Sequence, residues 1–174
     1  MAMQHTPLLM SNILDRGATV APYEEIVTLT ESGVRRQTYR ETRDRAHQLA
    51  HALAGSGIKV GDRVGTFMWN GSRHLEAYHA VAGMGAVLHT LNVRLSPKDL
   101  EYIINHAEDQ IIIVDADVLP LLEVLNGKIP CVRKVVVATE DGFEGWSTEL
   151  PDPVDYEAFI EGQPTHFLSL IHIS

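Results

Sequence analysis

One cysteine, Cys131, stands among 174 residues. Neither a disulfide framework nor a cysteine-based metal site can be built within the chain, and a reducing, cytoplasmic setting fits best. Cys131 follows Pro130 at the start of an apolar, strand-like run, where a buried inert thiol outweighs a nucleophile. Positive charge is also scarce: 14 Lys and Arg against 23 Asp and Glu leave a net charge of -9. Nucleic-acid binders neutralise phosphates with clustered cations, so this balance argues against one. The one basic cluster, Arg35, Arg36, Arg40, Arg43 and Arg45, is interrupted by Glu41 and Asp44 and reads as a solvated helix face laced with ion pairs. No apolar run approaches the length of a membrane span, and MAMQHTPLLMSNILDRG lacks the basic n-region of a signal peptide. No repeat suggests a solenoid.

What the chain does have is a hydrophobic content of 45%, enough for one sizeable core. EIVTLT (25–30) and VRRQTY (34–39), separated by ESG, predict a β-hairpin whose turn uses Gly33. The period then changes. Thr38 opens TYRE, a capping-box pattern, and Tyr39, Ala46, Leu49, Ala50 and Leu53 share one face of a helix over 39–54, ended by Gly55 and Gly57. RVGTFMW (63–69) predicts a strand, Ser72 the cap of a helix through RHLEAYHAVAG, and AVLHTL (86–91) another strand. SPKD opens a helix with Ser96 as cap and Pro97 in the first turn. QIIIVD predicts a buried strand, ADVLPLLEVL a helix and CVRKVVVA a further strand. Strands alternating with helices indicate βαβ units, so the fold class is α/β, a partial doubly wound sheet with the hairpin at one margin. Beyond Ala138 the chain turns acidic and proline-containing. That stretch reads as a surface excursion leaving the sheet, with one helical suggestion at 154–160.

Candidate chemistry competes with packing. Phosphate loops join a strand's end to a helix's start. LAGSGIKVGD follows a helix and GMGAVLHT runs from helix to strand, so both glycine groups read as helix ends and close crossings. Only WNGSRH has the right polarity; with one glycine and no lysine, an ordinary capped turn outweighs a phosphate site there. Asp44, His47 and His51 share one side of the first long helix at a spacing that could gather three metal ligands. Arg40 and Gln48 lie on the same side, and an exposed helix face outweighs a zinc site. His74 and His79 diverge in angle, and His89 is as well read as a hydrogen-bonded core residue as a functional one. No GxSxG elbow or other nucleophile context is present. The residues alone thus give an α/β scaffold without an active site.

The stretch from TYRETRDRAHQLAHALAG through GIKVGDRV, RHLEAYHAVAGMGAVLHTLN and RLSPKDLEYIINHAED resembles the N-terminal region of adenylate-forming acyl-CoA synthetases, especially bacterial fatty-acyl-CoA ligases. The resemblance covers about residues 8 to 167 and implies the incomplete N-terminal part of that family's large domain. It implies, for the full enzyme, activation of a carboxylic acid with MgATP to an acyl-adenylate and transfer to coenzyme A. A fatty acid or other carboxylic acid would be the partner, with a homodimer as one assembly to test. The family's Thr/Ser/Gly-rich loop, its acidic magnesium and ribose ligands and its C-terminal lysine match no position here, so no catalytic, cofactor-binding or metal-binding residue is assigned. The chain alone is expected to be inactive and to bind ATP, Mg²⁺ and CoA poorly. Two alternatives remain: the same superfamily acting on short-chain, aromatic or sulfur-containing acids, and a non-enzymatic α/β binding or assembly module. The domain is expected to span 1–167, with LSLIHIS (168–174) a non-native tail.

Overall fold

A strand with no polar face must be covered on both sides, and QIIIVD is such a strand. In the computed structural model, which describes residues 9–30, 33–139 and 145–167, it becomes the centre of a parallel sheet. The elements run α1 (Met10–Val20), β1 (Glu25–Thr30), β2 (Gly33–Thr38), α2 (Tyr39–Gly55), β3 (Arg63–Phe67), α3 (Ser72–Gly83), β4 (Val87–Thr90), α4 (Pro97–Ala107), β5 (Ile111–Asp115), α5 (Leu119–Glu123), β6 (Lys134–Ala138), β7 (Pro153–Asp155) and α6 (Tyr156–Ile160). The sheet order is β4-β3-β5-β6-β7, all parallel, and β1 and β2 form a separate antiparallel hairpin. The α/β class and the margin hairpin are as the sequence predicts. Glu31 and Ser32 of the hairpin turn, and the tail 168–174, lie outside the described residues.

Two cores sandwich the sheet. Ile111, Ile113, Val136 and Ala138 pack with Leu49, Leu53, Ala77 and Val81 of α2 and α3, while Ile112, Val114, Val135 and Val137 pack with Leu100, Ile104, Leu119 and Leu122 of α4 and α5. The alternation along β5 and β6 is the period of 2 of an extended chain. Gly65 on β3 stands opposite both His89 and Ile112. A Cβ there would lie 3.3 Å from Asp109 Oδ2 and 3.2 Å from Ile112, so the missing side chain makes room for the His89 Nδ1–Asp109 Oδ2 contact of 2.8 Å. Burial pushes the Asp109 carboxyl above its ordinary range, against the pull of His89.

Local signals fix several ends. Thr38 and Glu41 make the reciprocal capping box of α2, and Ser96 accepts from the Asp99 amide with Pro97 in the first turn of α4. Other expectations are corrected. Ser72 is not a cap: Gly71 holds that place, and Ser72 begins α3, buried. The helix expected in ADVLPLLEVL shortens to Leu119–Glu123, because Pro120 belongs in a first turn and cannot follow a helical turn before it. Cys131 precedes the strand rather than starting it, with its thiol directed at Ile104 O and Asn105 Oδ1, and burial raises its pKa. The acidic stretch comes back to the sheet: after residues 145–152, which form no strand, β7 pairs with β6 as an edge strand, where Pro153 sits at the first position and needs no ladder donor. Helix α1 was not foreseen; it has no side-chain cap and carries Gly17 inside.

A polar network crosses the packed helices. Glu76 of α3, fully buried, accepts from Gln37 Nε2 (2.8 Å), Arg45 Nε (2.7 Å) and Tyr156 Oη (2.6 Å). Arg45 continues to Glu157 through two bonds of 2.7 and 2.9 Å, and Arg73 Nε reaches the same carboxylate at 3.0 Å. Arg35 stands 3.9 Å from it. Burial alone would lower the Arg45 pKa, but the bonds to Glu157 and Glu76 raise it. Burial would raise that of Glu157, but Arg45 and Arg73 hold it below the usual range. Burial, then the charge of Glu76, pushes Tyr156 well above its ordinary value, so it stays a donor. The basic cluster is not one helix face: Arg35 and Arg36 lie on β2, Arg40 stacks over Tyr23, and of the ion-paired members Arg45 faces the interior, as does Arg73 of α3.

Two outcomes follow for unfolding in urea at fixed protein concentration. Leu53→Ala, opening a cavity between α2 and the sheet, is expected to cost about 2–5 kcal/mol. Glu76→Ala, stranding Arg45 and Tyr156 in the interior, is expected to cost about 3–5 kcal/mol, and an effect below that of an ordinary surface substitution would refute the network's role.

Candidate functional site

In an open α/β sheet the crevice beyond the carboxyl ends of the strands, where the chain reverses its winding, is the natural ligand site. Here β3 is followed by β4 on one side and β5 on the other, so the reversal lies between β3 and β5. A cavity of about 410 Å³ opens there. Its walls are the β3–α3 turn (Met68 to His74), the β5–α5 turn (Asp115 to Asp117), Ala138 at the end of β6, and Thr28 to Thr30 with Arg35 from the hairpin.

The turn WNGSRH forms one wall, and its chemistry opposes a phosphate. The Trp69 amide donates to Asp115 Oδ2 and its indole Nε1 to Asp117 Oδ2, both at 2.7 Å. Two carboxylates therefore occupy the Trp69 donors of this turn, and their charge opposes an anion there. His74 closes the turn from behind. Its Nδ1 lies 3.1 Å from Trp69 O, and a carbonyl only accepts, so Nδ1 carries the proton and Nε2 accepts from Thr66 Oγ1 at 3.0 Å. Burial lowers the His74 pKa, in keeping with a neutral ring that serves as a brace. Ser72 is buried in the first turn of α3.

The donors present do not fit a magnesium–triphosphate group. Among the described residues no three His, Cys, Asp or Glu side chains converge as metal ligands, and no lysine lines the cavity. Asp44, His47 and His51 do not converge on an ion: Asp44 pairs with Arg43, and His47 Nδ1 and His51 Nε2 meet the carbonyls of Thr165 and His166, each at 2.9 Å. The exposed-face reading is also corrected, since both histidines are half-buried under residues 163–167. His74 and His79 lie apart, and His89 is paired with Asp109. Sequence reasoning missed the network of Gln37, Glu76, Tyr156 and Glu157. The available signal was Glu76 itself, a charge inside the buried stripe of Arg73, Ala77, Ala80 and Val81. Among the described residues no helix is long and apolar enough to cross a membrane.

The family of AMP-binding enzymes matches residues 14–167. A long-chain-fatty-acid–CoA ligase of Thermus thermophilus is 46% identical over 145 residues, which are 83% of this chain and 27% of that protein. A 3-methylmercaptopropionyl-CoA ligase of Ruegeria lacuscaerulensis is 37% identical over 169 residues, covering 95% of this chain and 31% of its own length. The crystal structure of the anthranilate CoA ligase AuaEII in complex with anthranoyl-AMP superposes with a TM-score of 0.77 at 25% identity, over 97% of this chain and 31% of that one. The chain thus spans about three-tenths of the length of the relatives it matches. The family match over residues 14–167 and the superposition over 97% of the chain decide the question of kinship: the chain belongs to the AMP-binding enzymes, the family of the adenylate-forming acid–CoA ligases.

Proposed function

We propose that the chain is the N-terminal part of an ATP-dependent fatty-acyl-CoA synthetase, and that this part alone does not catalyse the reaction. In the whole ligase a fatty-acid carboxylate attacks the α-phosphate of ATP, giving acyl-adenylate and pyrophosphate. The thiol of coenzyme A then displaces AMP to form the thioester. The observation that carries the reading is the family match over 14–167 in a chain that spans about three-tenths of the length of its relatives, with Asp115 and Asp117 bound to the Trp69 donors in the crevice. The 46% identity to a long-chain-fatty-acid–CoA ligase supports the fatty-acid branch. Mg²⁺ would be held by the remainder of the ligase, in a cytoplasmic setting.

A second reading keeps the chemistry and changes the acid. It is favoured by the 37% identity to a 3-methylmercaptopropionyl-CoA ligase over nearly the whole chain. The hairpin supports the incompleteness in both readings: Val27, Leu29 and Val34 crowd its outer face, with Leu29 82% exposed. Such a face is covered, in the proposal, by the rest of the ligase.

Acid-dependent pyrophosphate release from ATP tests the function. The whole ligase is expected to turn over long- and medium-chain fatty acids in preference to aromatic, short-chain or sulfur-containing ones, and the isolated 174-residue chain to release none. Turnover by the isolated chain would overturn its assignment as an incomplete catalyst; a preference for the other acids would replace the fatty-acid reading by the second. Light scattering is expected to show self-association of the isolated chain, and a monodisperse monomer would count against a missing cover.

A further inference from the structure

The polar side of α2 that resembled a metal site holds main chain instead. His47 Nδ1 meets Thr165 O at 2.9 Å, Gln48 Nε2 donates to Gln163 O at 3.2 Å, and His51 Nε2 meets His166 O at 2.9 Å. Carbonyl oxygens only accept, so both imidazoles present their N–H groups to the segment. The His51 ring also lies edge-on to Phe167, with centroids 4.8 Å apart. Residues 163–167 belong to no helix or strand, and Pro164 has no N–H. The hydrogen bonds come from residues 115 to 118 positions earlier in the chain and engage the backbone, beside the ring contacts to His166 and Phe167.

Packing does not do this work by itself. Between the segment and helices α1 and α3 lies a cavity of about 180 Å³, reached by Leu14, His79 and Phe167, so the underside of the segment is incompletely filled. Helix α2 also holds the element before the segment, through Arg45 and Glu157. Residues 45, 47, 48 and 51 thus register the chain from 157 to 166 along one helix.

We propose that His47, Gln48 and His51 are positioning residues: they grip the main chain of 163–167 and fix the path by which the polypeptide leaves the sheet, so that the ligase reaction depends on their N–H donors. The dependence on the reaction rests on the proposed function; the grip does not. The test is made in the whole ligase with two variant pairs. His47→Leu with His51→Leu removes the donors, whereas His47→Asn with His51→Gln keeps an amide N–H near the Nδ1 and Nε2 positions. The leucine pair is expected to speed amide hydrogen exchange of the 161–167 peptide about tenfold while leaving strand β5 unchanged, and the amide pair to exchange at the wild-type rate. Acid-dependent pyrophosphate release is expected to lose kcat in the leucine pair, with KM for the acid little changed, and to recover it in the amide pair. Exchange within about twofold of wild type in the leucine pair, or equally fast exchange in both pairs, would overturn the grip. Lost protection with unchanged kcat would overturn the positioning role. A wild-type ligase inactive on every acid would refute the functional reading, while the exchange comparison would still decide the grip.

Discussion

Glu76 is the constraint on which the helical layer depends. A carboxylate wholly removed from water is tolerated only when its oxygens are occupied, and the occupants come from three other elements: Gln37 on β2, Arg45 on α2 and Tyr156 on α6. None is a neighbour in sequence, so the hairpin, two long helices and the last helix must arrive together. Helix α6 has five residues and β7 three, too few to persist on local hydrogen bonding. Their place on the sheet is secured by Tyr156 and by the guanidinium bonds to Glu157.

The same packing shapes the crevice of this AMP-binding family chain. The winding reversal between β3 and β5 leaves a crevice, as the topology requires. Several of its polar groups pair with one another: Asp115 and Asp117 hold the Trp69 amide and indole, and His74 ties the Trp69 carbonyl to Thr66. Groups paired in this way stiffen a turn.

How much was legible depended on whether a residue's role was local. The capping box at Thr38 and the cap at Ser96 were readable because donor and acceptor lie three residues apart. The central strand was readable because a run of Ile and Val has no polar face to expose. Strand β7 was not, because three residues with a leading proline carry no period, and the pairing is supplied by β6. His47 and His51 showed the limit clearly: their spacing placed them on one face, but the partner on that face was a backbone segment more than a hundred residues away.

The sequence by itself determined the α/β class, the order of most strands and helices, and the kinship implied by the stretch from TYRE to RLSPKD, since periodicity and capping act over a few residues. The tertiary structure alone decided that Glu76 lies in the interior, that Asp115 and Asp117 hold the Trp69 amide and indole, and that a helix resembling a metal site holds main chain. Each of these is a pairing between distant residues, and the energy of a polar group depends on what folding brings opposite it.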